Sequence, residues 1–408
     1  MTKTGFVFIV VGIFIYFLAS QTQIGWLYLF DAVIWSLLIL SVILPWYNLR
    51  SLQIERQVLL PATALRESQL GGPLEDEEVE IRLKLTNNGH LPRYFIKIVE
   101  DCPFEEPGKR QKTFVVASLD PKSTLTFTYP ANCYRRGYYA SAGITLQSTG
   151  LLGLVVRRHT YQLPLKLTVY PVYFEMRGLP AADNGWAELG HMVRSKAAAE
   201  FYGSRDYQHG DPLKHIHWRN TARLGRFMLK EFEQTNQGRV IVVLETGYDF
   251  GTGRETTLEY SLKIAASLAR LCTDTGRTMD IITGKTSLFN AGWQETMNYL
   301  ARIEVNEKTT TAELGNVLEP GQVVVAIVPA LKTKVIPALS PLSGRENRLI
   351  VVLLRGFAAG EKPPKFGSEL KGRNLDVVSC YHGQLEVALK ELGNSLFFAS
   401  GLSAYAVR

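Results

Sequence analysis

Two apolar stretches at the beginning of the chain decide the architecture of its first part. Residues 5–20 read GFVFIVVGIFIYFLAS, and residues 24–47 read IGWLYLFDAVIWSLLILSVILPWY. A helix needs about 20 apolar residues to span a bilayer, with about 17 as the lower limit. The second stretch reaches this length with Asp31 as its only charge. The first reaches it when its polar flanking residues are included. The sequence therefore predicts a transmembrane helical hairpin over residues 1–50, in which Asp31 is either functional or reaches the interface.

The flanking charges predict how this hairpin is oriented. A cleaved signal peptide is the alternative for the first stretch, but a second apolar stretch follows at once, which favours a hairpin. Lys3 precedes the first helix, Arg50 and Arg56 follow the second, and the connecting turn has no positive charge. Positive charges favour the cytoplasmic side. We therefore expect two spans in a bacterial inner (cytoplasmic) membrane, with the soluble domains in the cytoplasm.

Residues 51–175 alternate between apolar and polar side chains, as half-buried strands do. Residues 79–86 read VEIRLKLT, and the turn signal NNG follows at 87–89. Further strands are expected at residues 93–99, 114–118, 124–129 and 144–147. Short strands separated by frequent turn signals predict an antiparallel β-sandwich-like domain.

The densest group of unusual residues lies in residues 176–235, which we interpret as a linker followed by a signature segment. The signature positions, in order, are Gly203, Arg205, Tyr207, Gly210, Asp211, Trp218 and Arg223. The pattern continues as FMLKEFE at residues 227–233. Between Arg194 and Lys230 there are 8 Lys or Arg and 3 Asp or Glu, so this window holds most of the formal net charge of +7.

This ordered pattern resembles the signature of the domain-of-unknown-function 58 family. Residues 136–139 and 152–154 are also similar to that family, whereas residues 149–150 are Thr-Gly in place of its usual Asp-Pro. The resemblance extends along the whole chain and implies a membrane-anchored protein with a von Willebrand factor A-like C-terminal domain. It also implies a partner, because members are commonly encoded with MoxR-type AAA+ ATPases, which are thought to mature other proteins.

The signature residues have two interpretations. In the structural one, an Arg205–Asp211 ion pair stiffens a loop around Gly210, with Trp218 packed below it and Arg223 completing the network. In the functional one, the same residues form a docking surface, since arginine, tyrosine and tryptophan are enriched at binding hot spots.

Two other chemistries are weaker matches to this segment. His209, Asp211, His215 and His217 suggest a metal site, but a metal needs three or four converging ligands, and no Cys or Glu motif completes the set. Basic residues among aromatic ones suggest single-stranded nucleic acid. We expect no nucleic acid partner, because the hairpin holds the chain at a bilayer, where anionic lipid is the nearer partner.

Residues 236–408 alternate strand and helix patterns, which predicts a doubly wound parallel sheet. Strands are expected at residues 240–244, 279–282, 323–328, 349–354 and 375–379, and helices at 256–272 and 295–303. Von Willebrand factor A-like domains often bind a divalent cation at Asp-x-Ser-x-Ser after the first strand. Here residues 245–249 read ETGYD, so the site is degenerate, although Glu245 and Asp249 retain ligand oxygens.

Composition excludes several classes of protein. With 408 residues, 46% hydrophobic and 20% charged, the chain is neither disordered nor fibrous. Its 4 cysteines are far apart in sequence, which excludes a disulfide scaffold and indicates reduced thiols. No complete nucleotide-binding loop or nucleophile elbow occurs. We therefore expect no cofactor.

A specific signature without a complete catalytic set favours a non-enzymatic, membrane-anchored adaptor. It would dock a MoxR-type AAA+ ATPase, its client, or both, and a homo-oligomer is compatible with the sequence. The first alternative is a metal-dependent hydrolase that uses Asp211, His215, His217 or Glu245. The second is a structural protein of the cell envelope.

Overall fold

The computed structural model describes residues 2–60, 70–176, 200–206, 218–233, 239–284, 286–305, 322–332, 348–358 and 375–399. The chain divides into two compact units, Met1–Val172 and Tyr173–Arg408. The predicted order of two N-terminal apolar helices, antiparallel sheets and a C-terminal parallel sheet is confirmed.

Two apolar helices open the first unit, α1 (Lys3–Thr22) and α2 (Gly25–Leu49). The Thr2 hydroxyl caps α1 by accepting a hydrogen bond from the Gly5 N–H at 3.2 Å, and Gln23 ends the helix in the left-handed conformation. The helices are 20 and 25 residues long, and their most apolar 18-residue windows have mean hydropathies of 2.0 and 2.3, which is compatible with membrane spans. Most of their large apolar side chains are exposed to the surroundings of the polypeptide, as in helices that face lipid.

Asp31 is the only charged residue of α2. Its side chain is buried, and its Oδ1 atom has no hydrogen-bond partner among the described residues. The carboxylate is therefore enclosed by protein, and its two expected roles, a functional group or a group at the interface, stay predictions.

Seven strands follow the hairpin and form two antiparallel sheets around one apolar core, with orders β1-β2-β5 and β4-β3-β6-β7. The strands are β1 (Leu52–Leu59), β2 (Glu78–Asn87), β3 (Arg93–Asp101), β4 (Gln111–Leu119), β5 (Thr124–Asn132), β6 (Gly137–Thr149) and β7 (Val156–Val169). Every second residue of β2 is buried, as its alternating sequence predicts. The five predicted strands correspond to β2–β6, and β1 and β7 complete the two sheets.

The second unit contains a two-stranded hairpin and a larger sheet with order β14-β13-β10-β15-β16-β17. Its strands are β8 (Glu200–Asp206), β9 (Met228–Glu233), β10 (Val240–Leu244), β11 (Gly251–Thr252), β12 (Glu255–Thr256), β13 (Met279–Thr283), β14 (Ser287–Leu288), β15 (Val323–Pro329), β16 (Arg348–Arg355) and β17 (Leu375–Tyr381). Its described helices are Trp218–Leu224, Thr257–Asp274, Trp293–Arg302 and Leu385–Ala399. Neighbouring strands of the large sheet are parallel except for the β13–β14 pair.

The centre of the large sheet is buried on both sides. Every residue of β10, β13 and β15 is buried, which explains their unbroken apolar sequences. After β10 the chain adds β13 on one side and β15 on the other. Strand order therefore reverses at β10, and the carboxyl ends of β10 and β15 form the type of crevice in which open α/β sheets bind ligands.

Candidate functional site

The two ends of the signature segment come together as an antiparallel hairpin. Strand β8 pairs with β9, so that Gly203 lies opposite Glu231 and Arg205 opposite Leu229. The register shifts between Phe201 and Gly203, which marks a bulge. Both halves of the sequence pattern therefore belong to one local structure, although more than 20 residues separate them along the chain.

The structure places four of the seven predicted signature residues. Gly203 and Arg205 lie in β8, Trp218 begins the helix Trp218–Leu224, and Arg223 lies in its last turn. The other three, Tyr207, Gly210 and Asp211, lie outside the described residues, as do His209, His215 and His217. The proposed Arg205–Asp211 ion pair and the histidine metal site therefore stay predictions.

The helix Trp218–Leu224 and the turn after it form an exposed surface, which we call the signature surface. Its apolar members are Trp218, Leu224 and Phe227, which are 67%, 51% and 55% exposed. Its basic members, all exposed, are Arg219, Arg223 and Arg226. Residues 218–228 contain no acidic side chain. The surface thus combines apolar groups with positive charge, which suits a partner that is apolar and acidic.

Backbone contacts hold the signature surface in shape. The N–H of Gly225 donates to the carbonyl of Thr221 at 3.0 Å, and Gly225 has a φ of 67°, which ends the helix. The Thr221 hydroxyl accepts from the N–H of Met228 at 3.0 Å, and the Met228 side chain is buried. The helix is therefore joined directly to β9, while the side chains of Phe227 and Leu224 stay outside the core.

The loop after β10 contains the carboxylates considered as remnants of a cation site. Glu245 is buried, and its Oε1 accepts the N–H of Gly247 at 2.9 Å. The Oδ1 atom of Asp249 accepts the N–H of Leu258 at 2.9 Å and the hydroxyl of Thr257 at 3.2 Å. Asp249 therefore adds an acceptor in the first turn of the helix that begins at Thr257, beside the N-cap residue Thr256, whose hydroxyl accepts the N–H of Glu259. Over the described ranges, no group of three or more His, Cys, Asp or Glu residues is placed to hold a metal ion.

A second cluster, which sequence reasoning missed, lies near the carboxyl ends of β16 and β17. The Tyr260 hydroxyl donates to Glu255 at 2.6 Å and accepts the N–H of Gly383 at 3.0 Å. The Phe357 ring lies edge-on to the Tyr260 ring, with 4.8 Å between centroids, and His382 lies 3.7 Å from Glu255. Tyrosine, histidine and glutamate spread over more than 120 residues give no local signal, so only the sheet brings them together.

The pKa values of Tyr260 and of two cysteines of the same unit limit the chemistry that these groups can perform. Burial, together with the hydrogen bond to Glu255, raises the pKa of Tyr260 to about 12, so the hydroxyl is protonated at neutral pH. Burial also raises the pKa of Cys272 and of Cys380 to about 12. These thiols are therefore not thiolate nucleophiles at neutral pH. The arrangement suits hydrogen bonding and aromatic packing.

Comparisons with known proteins support the resemblance over the signature region. A family profile described as "Protein of unknown function DUF58" matches residues 203–302. An uncharacterized protein, YeaD, of Bacillus subtilis (strain 168) is 25% identical over 247 residues, which is 57% of this chain and 57% of that protein. The match thus spans less than two thirds of the curated relative, and its description assigns no activity.

Similarity to solved structures is weak. A putative ApaA protein from Bordetella pertussis aligns with a TM-score of 0.16 and 11% identity, covering 28% of this chain and 93% of that one. A GH20 exo-β-N-acetylglucosaminidase from Vibrio harveyi aligns with a TM-score of 0.20 and 10% identity, covering 74% of this chain and 57% of that one. Scores this low carry no argument about fold or activity.

Proposed function

We propose that the chain is a membrane-anchored, non-enzymatic adaptor whose signature surface docks a cytosolic partner. The partner is a MoxR-type AAA+ ATPase, its client, or both, as the family resemblance implies. In this proposal α1 and α2 span the inner membrane, and both units that follow lie in the cytoplasm. The second unit is then a von Willebrand factor A-like domain that presents the signature surface.

The observation that carries the proposal is the exposure of Trp218 and Phe227 beside three arginines. Exposure of large aromatic side chains to water is unfavourable, so a partner that covers them gains free energy of binding. Tryptophan and arginine are also the residue types most enriched at interface hot spots. The sequence pattern and the exposed chemistry therefore coincide in one short segment.

Binding of the purified ATPase tests the proposal directly. The full chain in lipid nanodiscs is immobilised, and the MoxR-type ATPase of the same organism is applied at increasing concentration. We expect Phe227→Ala and Trp218→Ala each to weaken binding about 30-fold, which corresponds to a hot-spot contribution of about 2 kcal/mol. We also expect binding to weaken in high salt, because the arginines contribute through long-range attraction.

Phe289→Ala is the matched control, because Phe289 is 53% exposed in the same unit and lies outside the signature. Its affinity should equal that of the wild type. The proposal fails if the wild type does not bind the ATPase, or if Phe289→Ala weakens binding as much as Phe227→Ala does.

A further inference from the structure

Four large apolar side chains of the β domain are exposed around the end of α2. They are Leu91, Tyr94, Phe95 and Leu152, which are 55%, 48%, 69% and 66% exposed. We call them the juxtamembrane patch. Large apolar side chains exposed on segments next to a candidate membrane helix indicate an interaction surface.

The turn between β6 and β7, which contains Leu152, packs directly against both helices. A Cβ atom on Gly150 would lie 2.3 Å from the carbonyl oxygen of Ser41 in α2. A Cβ atom on Gly5 of α1 would lie 2.3 Å from the carbonyl oxygen of Leu154. Glycine at both positions therefore permits backbone approaches that no other residue allows.

Hydrogen bonds and a proline secure the same contact. The Thr2 N–H donates to the Leu154 carbonyl at 3.1 Å, and the Thr2 hydroxyl donates to the Gly153 carbonyl at 2.8 Å. In α2, Pro45 has no N–H to donate to the carbonyl of Ser41 four residues earlier. That carbonyl faces Gly150, so the proline lies where the turn meets the helix.

The start of β3 is held at the last turn of α2. The side chain of Asn48 donates to the Tyr94 carbonyl at 3.0 Å. Arg93 donates to the Tyr47 carbonyl at 2.7 Å, and its guanidinium lies 3.8 Å from the centroid of the Tyr47 ring. The start of β3, with Tyr94 and Phe95, therefore lies at the end of α2 within the same unit.

Helix geometry places this unit against the bilayer. The 25 residues of α2 extend about 38 Å, whereas the hydrocarbon layer is about 30 Å thick. If α2 enters the hydrocarbon at Gly25, its last five residues lie in the head-group layer. Ser41, and with it the turn that contains Leu152, then lies about 6 Å inside the hydrocarbon edge.

The charge beside the turn agrees with a membrane contact. Arg157 and Arg158 follow the turn and are exposed. Basic residues next to apolar ones suit a layer in which anionic head groups overlie acyl chains.

We propose that the juxtamembrane patch lies in the membrane interface, with Leu152 in the upper acyl region and Leu91, Tyr94 and Phe95 among the head groups. The β domain is thereby held by one end against one leaflet and does not move freely on a tether. This inference rests on the membrane anchoring in the proposed function, and it requires no partner protein.

A fluorescent label whose depth in the bilayer is measured by quenching tests the inference. The full chain is labelled with NBD-maleimide at Leu152→Cys in vesicles of phosphatidylcholine and phosphatidylglycerol. All four native cysteines are buried, so the unsubstituted chain serves as the labelling blank. We expect blue-shifted emission, quenching by doxyl lipids and loss of quenching by aqueous iodide.

Two further positions make the result decisive. Tyr138→Cys is the aqueous control, because Tyr138 is 46% exposed on β6 at about 35 Å along the strand from the turn. Val33→Cys, about 12 Å along α2 from Gly25, reports the interior of the hydrocarbon layer. If Val33 is in lipid but Leu152 is quenched by iodide as strongly as Tyr138, the inference is wrong and the anchor stands. If Val33 is also quenched by iodide, the anchor itself is wrong.

Phe95→Cys provides a second test in case the Leu152→Cys variant does not fold. The inference predicts that doxyl lipids report a shallower depth for a label at position 95 than for a label at position 152. It also predicts that iodide quenches the label at position 95 less than the label at position 138. Equal iodide quenching at 95 and 138 would overturn it.

Discussion

An ion pair is enclosed between the two sheets of the β domain. The Arg56 Nε atom lies 2.6 Å from Glu100 Oε1, and the two side chains are 1% and 0% exposed. Tyr129 donates a hydrogen bond to the other oxygen of Glu100, and Cys102 lies 3.1 Å from the Tyr129 hydroxyl. Arg56 also donates to the Ala142 carbonyl at 3.3 Å. The pair therefore connects β1 with β3 through the core.

Removing one partner leaves the other charge buried, which costs about 3–5 kcal/mol. Arg56→Met should thus strongly destabilise the domain. Glu100→Gln should cost less, because its amide retains hydrogen-bonding capacity. The double change of Arg56→Met with Glu100→Leu should lie close to the wild type, since it removes both charges. The Nη2 atom of Arg56, which has no hydrogen-bond partner among the described residues, strengthens that expectation.

Hydrogen exchange measured by mass spectrometry on the full chain in nanodiscs is the assay. For peptides of β3 and β5 that exchange by global opening, Arg56→Met should accelerate exchange by about 10²- to 10⁴-fold. Arg82→Met on β2 is the control, because that arginine is only partly buried. The reasoning is refuted if Arg56→Met changes exchange no more than Arg82→Met, or if the double variant is less stable than Arg56→Met alone.

Three further outcomes follow from the described contacts. Burial raises the pKa of Glu100 above its ordinary value of 4.5, although Arg56 lowers it. The stability that the protonated carboxyl contributes is therefore lost as the pH rises through the raised pKa. Denaturation at several pH values should show this loss of stability in the wild type and not in Glu100→Gln. Asp249→Ala should destabilise the second unit by about 1 kcal/mol, because it removes the acceptor of the Leu258 N–H in the first turn of the helix that begins at Thr257. An unchanged melting temperature would contradict this role. Gly150→Ala should free the β6–β7 turn from α2, since its Cβ would lie 2.3 Å from Ser41; faster hydrogen exchange in residues 149–155, absent from Gly143→Ala, is the expected result.

One sequence argument changes in the light of the structure. Arg56 was counted among the positive charges that flank α2, yet its side chain is buried with Glu100 inside the β domain. Lys3 and Arg50 remain as the flanking charges, and Arg50 lies over the Trp46 ring at 5.0 Å. The expected orientation thus depends on fewer charges than the sequence indicated.

Local periodicity explains which elements could be predicted. The apolar length of α1 and α2, the alternation in β2 and the unbroken apolar sequence of β10 each follow from the surface that the element buries. The helix predicted at residues 256–272 was observed at Thr257–Asp274. It could be predicted because its apolar spacing and its Thr256 cap are both local features of the sequence. The hairpin of β8 and β9 was not predicted, since pairing depends on residues more than 20 positions apart.

The sequence by itself determined the class and order of the elements and the location of the signature, because periodicity, apolar length and ordered motifs are local properties. Tertiary structure alone decided which distant groups meet. It placed Glu100 against Arg56, Tyr260 beside His382, and the turn at Gly150 against α2. Such contacts depend on strand register and on backbone approaches between elements far apart in the chain, and no local pattern encodes them.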